Sequence, residues 1–146
     1  MATLAPCNLA SQVRNIPEAR DFYGGVLGFA EGRSDTTWVD FDMFGHQLVV
    51  HLNPELGAQG RVKYWTNPVD DDAVPVPHFG VVLQLADWAS LATRLQDKIE
   101  FVIKPHTRFA GEVGEQGTMF FLDPSGNALE FKGFKDIESE LFAVKQ

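Results

Sequence analysis

Apolar and polar positions alternate in short runs along this chain, and twice such a run gives way to a segment with helical spacing. "NLASQV" (Asn8 to Val13) and "HFGVVLQL" (His78 to Leu85) read as strands, each followed by a helix. The first helix is well punctuated. Asn15 suits an N-cap, Pro17 lies near the first helical position, and Glu18 completes a capping-box spacing. Ile16, Ala19, Tyr23, Val26 and Leu27 share one face, Gly24 and Gly25 weaken the interior, and Gly28 is a natural stop. The second helix follows Asp87, with Trp88, Leu91, Ala92, Leu95 and Ile99 as its apolar stripe. Further strands are expected in "TWVDFDM", "HQLVVHL", "FVIK", "TMFFLD" and "NALEFK", with a short one near Phe29 to Arg33.

One pattern is therefore written twice: strand, helix, then about three strands. "FDMFGHQLVVHL" (Phe41 to Leu52) and "FLDPSGNALEFKGF" (Phe121 to Phe134) repeat a strand end, a glycine turn and an alternating strand, with Gly45 matching Gly126. The expected division is a single domain over 1–146: a first module at 5–53, a linker at 54–77 with its own local packing, a second module at 78–133, and a C-terminal helix at 134–146. The stretch "KPHTRFAGEVGEQG" (Lys104 to Gly117) reads as a long glycine-bearing loop.

Strand parity then assigns faces. In "NALEFK", Leu129 and Phe131 share the greasier side that a helix should cover, so Ala128, Glu130 and Lys132 face away. The same count puts His78, Gly80, Val82 and Gln84 on that open face. In the first half, Asn8, Ala10 and Gln12 lie on the equivalent face, as do Gln47, Val49 and His51. Trp38, Asp40 and Phe121 are further candidates for it. A carboxylate in an apolar strand needs solvent or a partner, since burying an unpaired charge costs several kcal/mol. Lys104, Arg108, Lys132 and a bound cation are the alternatives for Glu130.

"ARDFYGGVLGF" (Ala19 to Phe29), "HFGVVL" (His78 to Leu83) and "FFLDPSGNALEF" (Phe120 to Phe131) together resemble the vicinal oxygen chelate superfamily, which includes glyoxalase I, extradiol dioxygenases and the bleomycin-resistance proteins. The resemblance implies an α+β fold in which two βαβββ modules form a cup-shaped mixed sheet. It implies metal positions at Asn8, Val49, His78 and Glu130. Val49 cannot ligate, which leaves His78, Glu130 and Asn8 as the expected metal set, with His51 as a substitute for the weak Asn8 ligand. The cofactor implied is one divalent ion: iron, manganese, zinc or nickel. His51 and Asp40 are the candidate catalytic groups, and Gln12, Trp38, Gln47, Val49 and Phe121 the candidate substrate pocket. Glyoxalase I chemistry asks for a base carboxylate where Val49 stands. The expectation is accordingly a metal-dependent enzyme, dioxygenase-like in preference to glyoxalase I, acting on a small oxygen-bearing substrate with an aromatic one in view. The alternative is a metal-free protein that sequesters a small molecule, as in bleomycin resistance.

Composition narrows the partners. The 146 residues carry a net charge of −8 and include twelve Phe and one Cys. There is no basic stripe, so nucleic acid is not an expected partner. No run approaches the ~20 apolar residues of a membrane span. "MATLAPCNLA" lacks a basic segment ahead of an apolar run, so a cytoplasmic location is expected. Cys7 excludes an internal disulfide and reads as a small core residue. The expected partners are a small-molecule substrate and a second copy of the chain, as a homodimer.

Overall fold

The computed structural model describes residues 4–146, which form two compact units. The first holds the described residues up to Lys63 together with Asp123–Asn127, and the second holds Tyr64–Leu122 and Ala128–Gln146.

In the first unit, β1 (Asn8–Val13) leads into α1 (Ile16–Ala19), which widens into a π-helical stretch (Arg20–Val26). Asn15 caps it: its backbone is extended (φ −159°) and its side-chain oxygen accepts from the Glu18 N–H at 2.8 Å. The wide turn falls where Gly24 and Gly25 sit, and its bonds run from Leu27 N to Phe22 O at 2.9 Å. Gly28, at φ +76°, ends it. Then follow β2 (Ala30–Asp35), β3 (Trp38–Met43) and β4 (His46–Leu52), in the sheet order β1-β4-β3-β2. β1 and β4 are parallel, so the connection between them has to cross over, and the helix is part of it. Val13, Val39, Phe41, Met43, Leu48 and Val50 are buried with Phe22 and Tyr23 of the helix. Cys7 is exposed, which corrects its reading as a core residue: it lies before β1, and its N–H donates to His46 Nδ1 at 2.9 Å.

In the second unit, β5 (Trp65–Val69) and β6 (Asp72–Val76) form a hairpin. Its turn residues Asp70 and Asp71 both take positive φ (45° and 70°), as a tight two-residue hairpin turn demands. Next come β7 (Val82–Gln84), α2 (Leu85–Leu95), β8 (Phe101–Arg108), β9 (Gln116–Leu122), β10 (Ala128–Phe134) and α3 (Ile137–Glu140). The sheet order β7-β10-β9-β8 repeats that of the first unit, again with the outer and last strands parallel.

Several boundaries differ from expectation, and the C-terminal helix expected over 134–146 is confined to Ile137–Glu140, with Phe134 still in β10. Leu85 opens α2 instead of closing the preceding strand, and Ile99 lies beyond the helix end. β8 runs on through Lys104–Arg108, which the glycine-rich composition downstream had marked as loop. α2 lies against β9 and β10 at two glycines: a Cβ on Gly117 or Gly133 would come within 2.9 or 2.6 Å of Trp88. The Trp88 indole N–H donates to the Phe131 carbonyl at 2.8 Å.

Candidate functional site

Pairing register determines which side chains meet. Residues 78–82 run parallel to β10: Phe79 N donates to Ala128 O at 3.2 Å, and Glu130 N donates to Phe79 O at 2.8 Å. Gly80 lies so close to the Glu130 carbonyl that a Cβ there would overlap it. This close approach sets His78 beside Glu130, with Nε2 3.2 Å from Oε1. Across the ladder Glu130 faces Phe120, and Lys132 faces Thr118. His106 faces Thr118, and Arg108 faces Gln116.

Glu130 is only 5% exposed, yet it is well partnered. The Thr118 hydroxyl donates to Oε2 at 2.6 Å, Arg108 Nη1 lies 3.6 Å from Oε2, and Lys132 Nζ lies 3.9 Å from Oε1. Arg108, itself 4% exposed, also meets Asp72 at 3.1 Å, and Asp72 takes His106 Nε2 at 2.9 Å. The Phe120 ring lies edge-on to His78 (5.0 Å) and 6.0 Å from the Arg108 guanidinium carbon. Burial pushes the Glu130 carboxyl up, but the hydrogen bonds from His78 and Thr118 and the charge of Lys132 outweigh it, leaving the group below its ordinary range. The His78 imidazole is raised, chiefly by its bond to Glu130.

Of the expected residues, the structure brings His78 and Glu130 together. Asn8, Gln12, Trp38, Asp40, Gln47, Val49 and His51 belong to the first unit and share one face of its sheet: Asn8 is opposite Gln47, Gln12 and Trp38 are opposite His51, and Asp40 is opposite Val49. Asn8, Gln12, Gln47 and His51 are exposed, whereas Asp40 is buried and accepts from Gln47 Nε2 at 3.4 Å. Gln12 Oε1 accepts from Asn53 at 2.7 Å.

Phe121 requires correction as a pocket residue. It is opposite Leu129, is fully buried on the α2 side, and stacks on Phe131 with centroids 5.9 Å apart. Phe120 occupies the Glu130 face in its place. Thr118 and Asp72 escaped sequence reasoning. The available signal for Thr118 was its parity with Phe120 in "TMFFLD"; nothing local marks Asp72.

Among the described residues, no group of three or more His, Cys, Asp or Glu stands ready to hold a metal ion. The His78–Glu130 pair nevertheless fits one in donor type and spacing. Two ligands at about 2.1 Å from a shared ion stand about 3.0–3.4 Å apart, depending on the angle between them. The His78 Nδ1–H donates to the Pro75 carbonyl, which in the neutral ring leaves the Nε2 lone pair facing Glu130. Arg108 and Lys132 place positive charge beside the same carboxylate and oppose an added cation there.

The glyoxalase/bleomycin resistance protein/dioxygenase superfamily model matches residues 7–131. A glyoxalase/bleomycin resistance protein/dioxygenase from Alicyclobacillus acidocaldarius is 30% identical, with 92% of this chain and 94% of that one covered and a TM-score of 0.74. The fosfomycin resistance protein FosX from Listeria monocytogenes is 14% identical over 92% of this chain and 94% of its own, with a TM-score of 0.63. A glyoxalase family protein from Enterococcus faecalis is 18% identical over 86% of this chain and 94% of its own, with a TM-score of 0.59. No curated protein matches the chain. No helix among the described residues is long and apolar enough to cross a membrane. With the repeated sheet order, the family match over most of its length and a 30% identical relative, the chain belongs to the glyoxalase/bleomycin resistance protein/dioxygenase superfamily.

Proposed function

We propose that this protein is a metal-dependent enzyme in which His78 and Glu130 donate to one divalent ion, and that it acts on a small substrate bearing two neighbouring oxygens. The observation that carries the reading is the His78 Nε2 to Glu130 Oε1 approach at 3.2 Å, with the far side of the ring anchored on Pro75. When bound, such an ion supplies Lewis acidity toward substrate oxygens. The chain's own work is to hold the donors. Pro75 orients the imidazole, Thr118 fixes one carboxylate oxygen, and Phe120 lies edge-on to the His78 ring. Iron, manganese, zinc and nickel all suit an imidazole with a carboxylate. Among the described residues no second histidine joins this pair, and a histidine with one carboxylate suits chelation of substrate oxygens.

A second reading is favoured by one specific observation. Glu130 already has His78, Arg108 and Lys132 around it, and these supply the positive charge that a buried carboxylate needs. On this reading the protein is a metal-free binder of a small molecule. Titration of chelator-treated protein with Mn(II), Fe(II), Zn(II) and Ni(II) decides between them. We expect one ion per chain in the wild type and loss of binding in the His78→Ala/Glu130→Ala double variant. Equal, weak binding by both would transfer the reading to the metal-free alternative. The expected homodimer is checked on the same samples by sedimentation.

A further inference from the structure

We propose that Asp72 is a positioning residue that keeps Glu130 available to a divalent cation by holding the Arg108 guanidinium. The inference rests on the metal reading of the His78–Glu130 pair and adds a residue from the hairpin, outside the expected donor set.

Arg108 stands between two carboxylates. Its Nη2 is 3.1 Å from Asp72 Oδ2, and its Nη1 is 3.6 Å from Glu130 Oε2. The shorter contact belongs to Asp72. A guanidinium never loses its charge in a protein, and this one is 96% removed from solvent, so it must always be paired. Asp72 is well placed to be the fixed partner. It also takes His106 Nε2 at 2.9 Å, and the neighbouring hairpin turn is tied down where Asp70 accepts from the Phe109 N–H at 2.9 Å. β6 thus governs both flanks of Glu130: Asp72 holds the guanidinium and Pro75 holds the imidazole.

Removing the Asp72 charge leaves Arg108 with one carboxylate in reach. Arg108 Nε has no hydrogen-bond partner among the described residues, so it is a spare donor for a two-pronged grip on Glu130. That grip would occupy the carboxylate oxygens and add positive charge where the ion must sit. Neighbours that orient a ligand typically change metal affinity by about 10- to 100-fold.

The test is calorimetric titration of the chelator-treated 146-residue chain with Mn(II) and with Zn(II), with circular dichroism melting as a check on folding. Asp72→Asn is expected to weaken binding by about tenfold or more. Asp72→Glu, which keeps the charge, should recover most of that loss. Asp72→Asn/Arg108→Gln should restore wild-type affinity, because the competing guanidinium is gone. A purely structural role for Asp72 would leave the double variant as weak as the single, and that result overturns the inference. Unchanged affinity in folded Asp72→Asn overturns it as well, while the wild type still binding keeps the metal reading intact. A wild type that binds neither ion overturns the metal reading and this inference with it.

Discussion

Glu130 and His78 each favour the other's charged form, and the signs of their shifts set a pH window. A carboxyl held below its ordinary value stabilises the fold above that value and loses the contribution as pH falls through the lowered one. Glu130 is such a group: burial pushes it up, but bonds from His78 and Thr118 and the charge of Lys132 outweigh it, against an ordinary value of 4.5. His78 works the other way. Its imidazole is raised above 6.5, chiefly by Glu130, so its contribution is full below 6.5 and is lost as pH climbs through the raised value. Scanning calorimetry across pH should therefore show a plateau of melting temperature with a fall on each side. In Glu130→Gln the alkaline fall attributable to His78 should shrink, because the carboxylate that raises the imidazole is gone. An unchanged alkaline limb would show that His78 takes its shift from elsewhere. The ion competes with the proton at Nε2, so metal binding should weaken on the acid side of the same titration.

Among the elements, the close strand pairing at Gly80 does most to assemble the site. Parallel pairing between residues 78–82 and β10 brings the Gly80 Cα close against the Glu130 carbonyl, where a methyl group would overlap it. Gly80→Ala should push that segment off β10, separate His78 from Glu130 and cost roughly 1–3 kcal/mol or more, as overpacking does. Gly25→Ala is the matched control. A Cβ there meets nothing within 4 Å, and its change should stay below about 1 kcal/mol. Denaturant melts measure both, and metal titration of Gly80→Ala reads the separation directly. A Gly80→Ala protein as stable and as avid as wild type would contradict the pairing.

Across the whole chain, the turn Asp123–Asn127 joins two strands of the second sheet yet clusters with the first unit. Asp123 organises it. One carboxylate oxygen accepts from the backbone N–H groups of Ser125 (2.9 Å) and Asn127 (2.8 Å). The other accepts from the Asn127 amide at 2.8 Å and the Tyr23 hydroxyl at 2.7 Å. The Arg14 N–H meets Ser125 Oγ at 2.9 Å, the Val62 N–H meets the Ser125 carbonyl at 2.7 Å, and the Asn127 amide reaches the Gln12 carbonyl at 2.7 Å. Burial pushes the Asp123 carboxyl above its ordinary range despite the bonds it accepts. Tyr23→Phe should therefore cost about 1–3 kcal/mol in a denaturant melt, since it takes a donor from a buried charged acceptor. A change within a few tenths of a kcal/mol would remove Tyr23 from that role.

The amino-acid order alone determined the repeated strand-helix-strand pattern, the Asn15 cap, the Gly28 stop and the face on which Glu130 and His78 lie. These depend on local signals: period-two alternation, capping geometry and glycine turns. Alternation also put Asn8, Gln12, Gln47, Val49 and His51 on one face, because β1 and β4 pair in register from end to end. It failed where pairing is irregular or distant. β8 breaks register between Phe101 and Ile103 and again between Ile103 and His106, so counting along it could not say which face Arg108 would take. Phe120 and Phe121 are adjacent and chemically identical, and only the opposition of Glu130 to Phe120 tells them apart. Asp72 lies in a stretch with the composition of a linker, 36 residues from the arginine it holds. Its part was decided by tertiary structure, because the partner of a buried charge is set by which strands become neighbours.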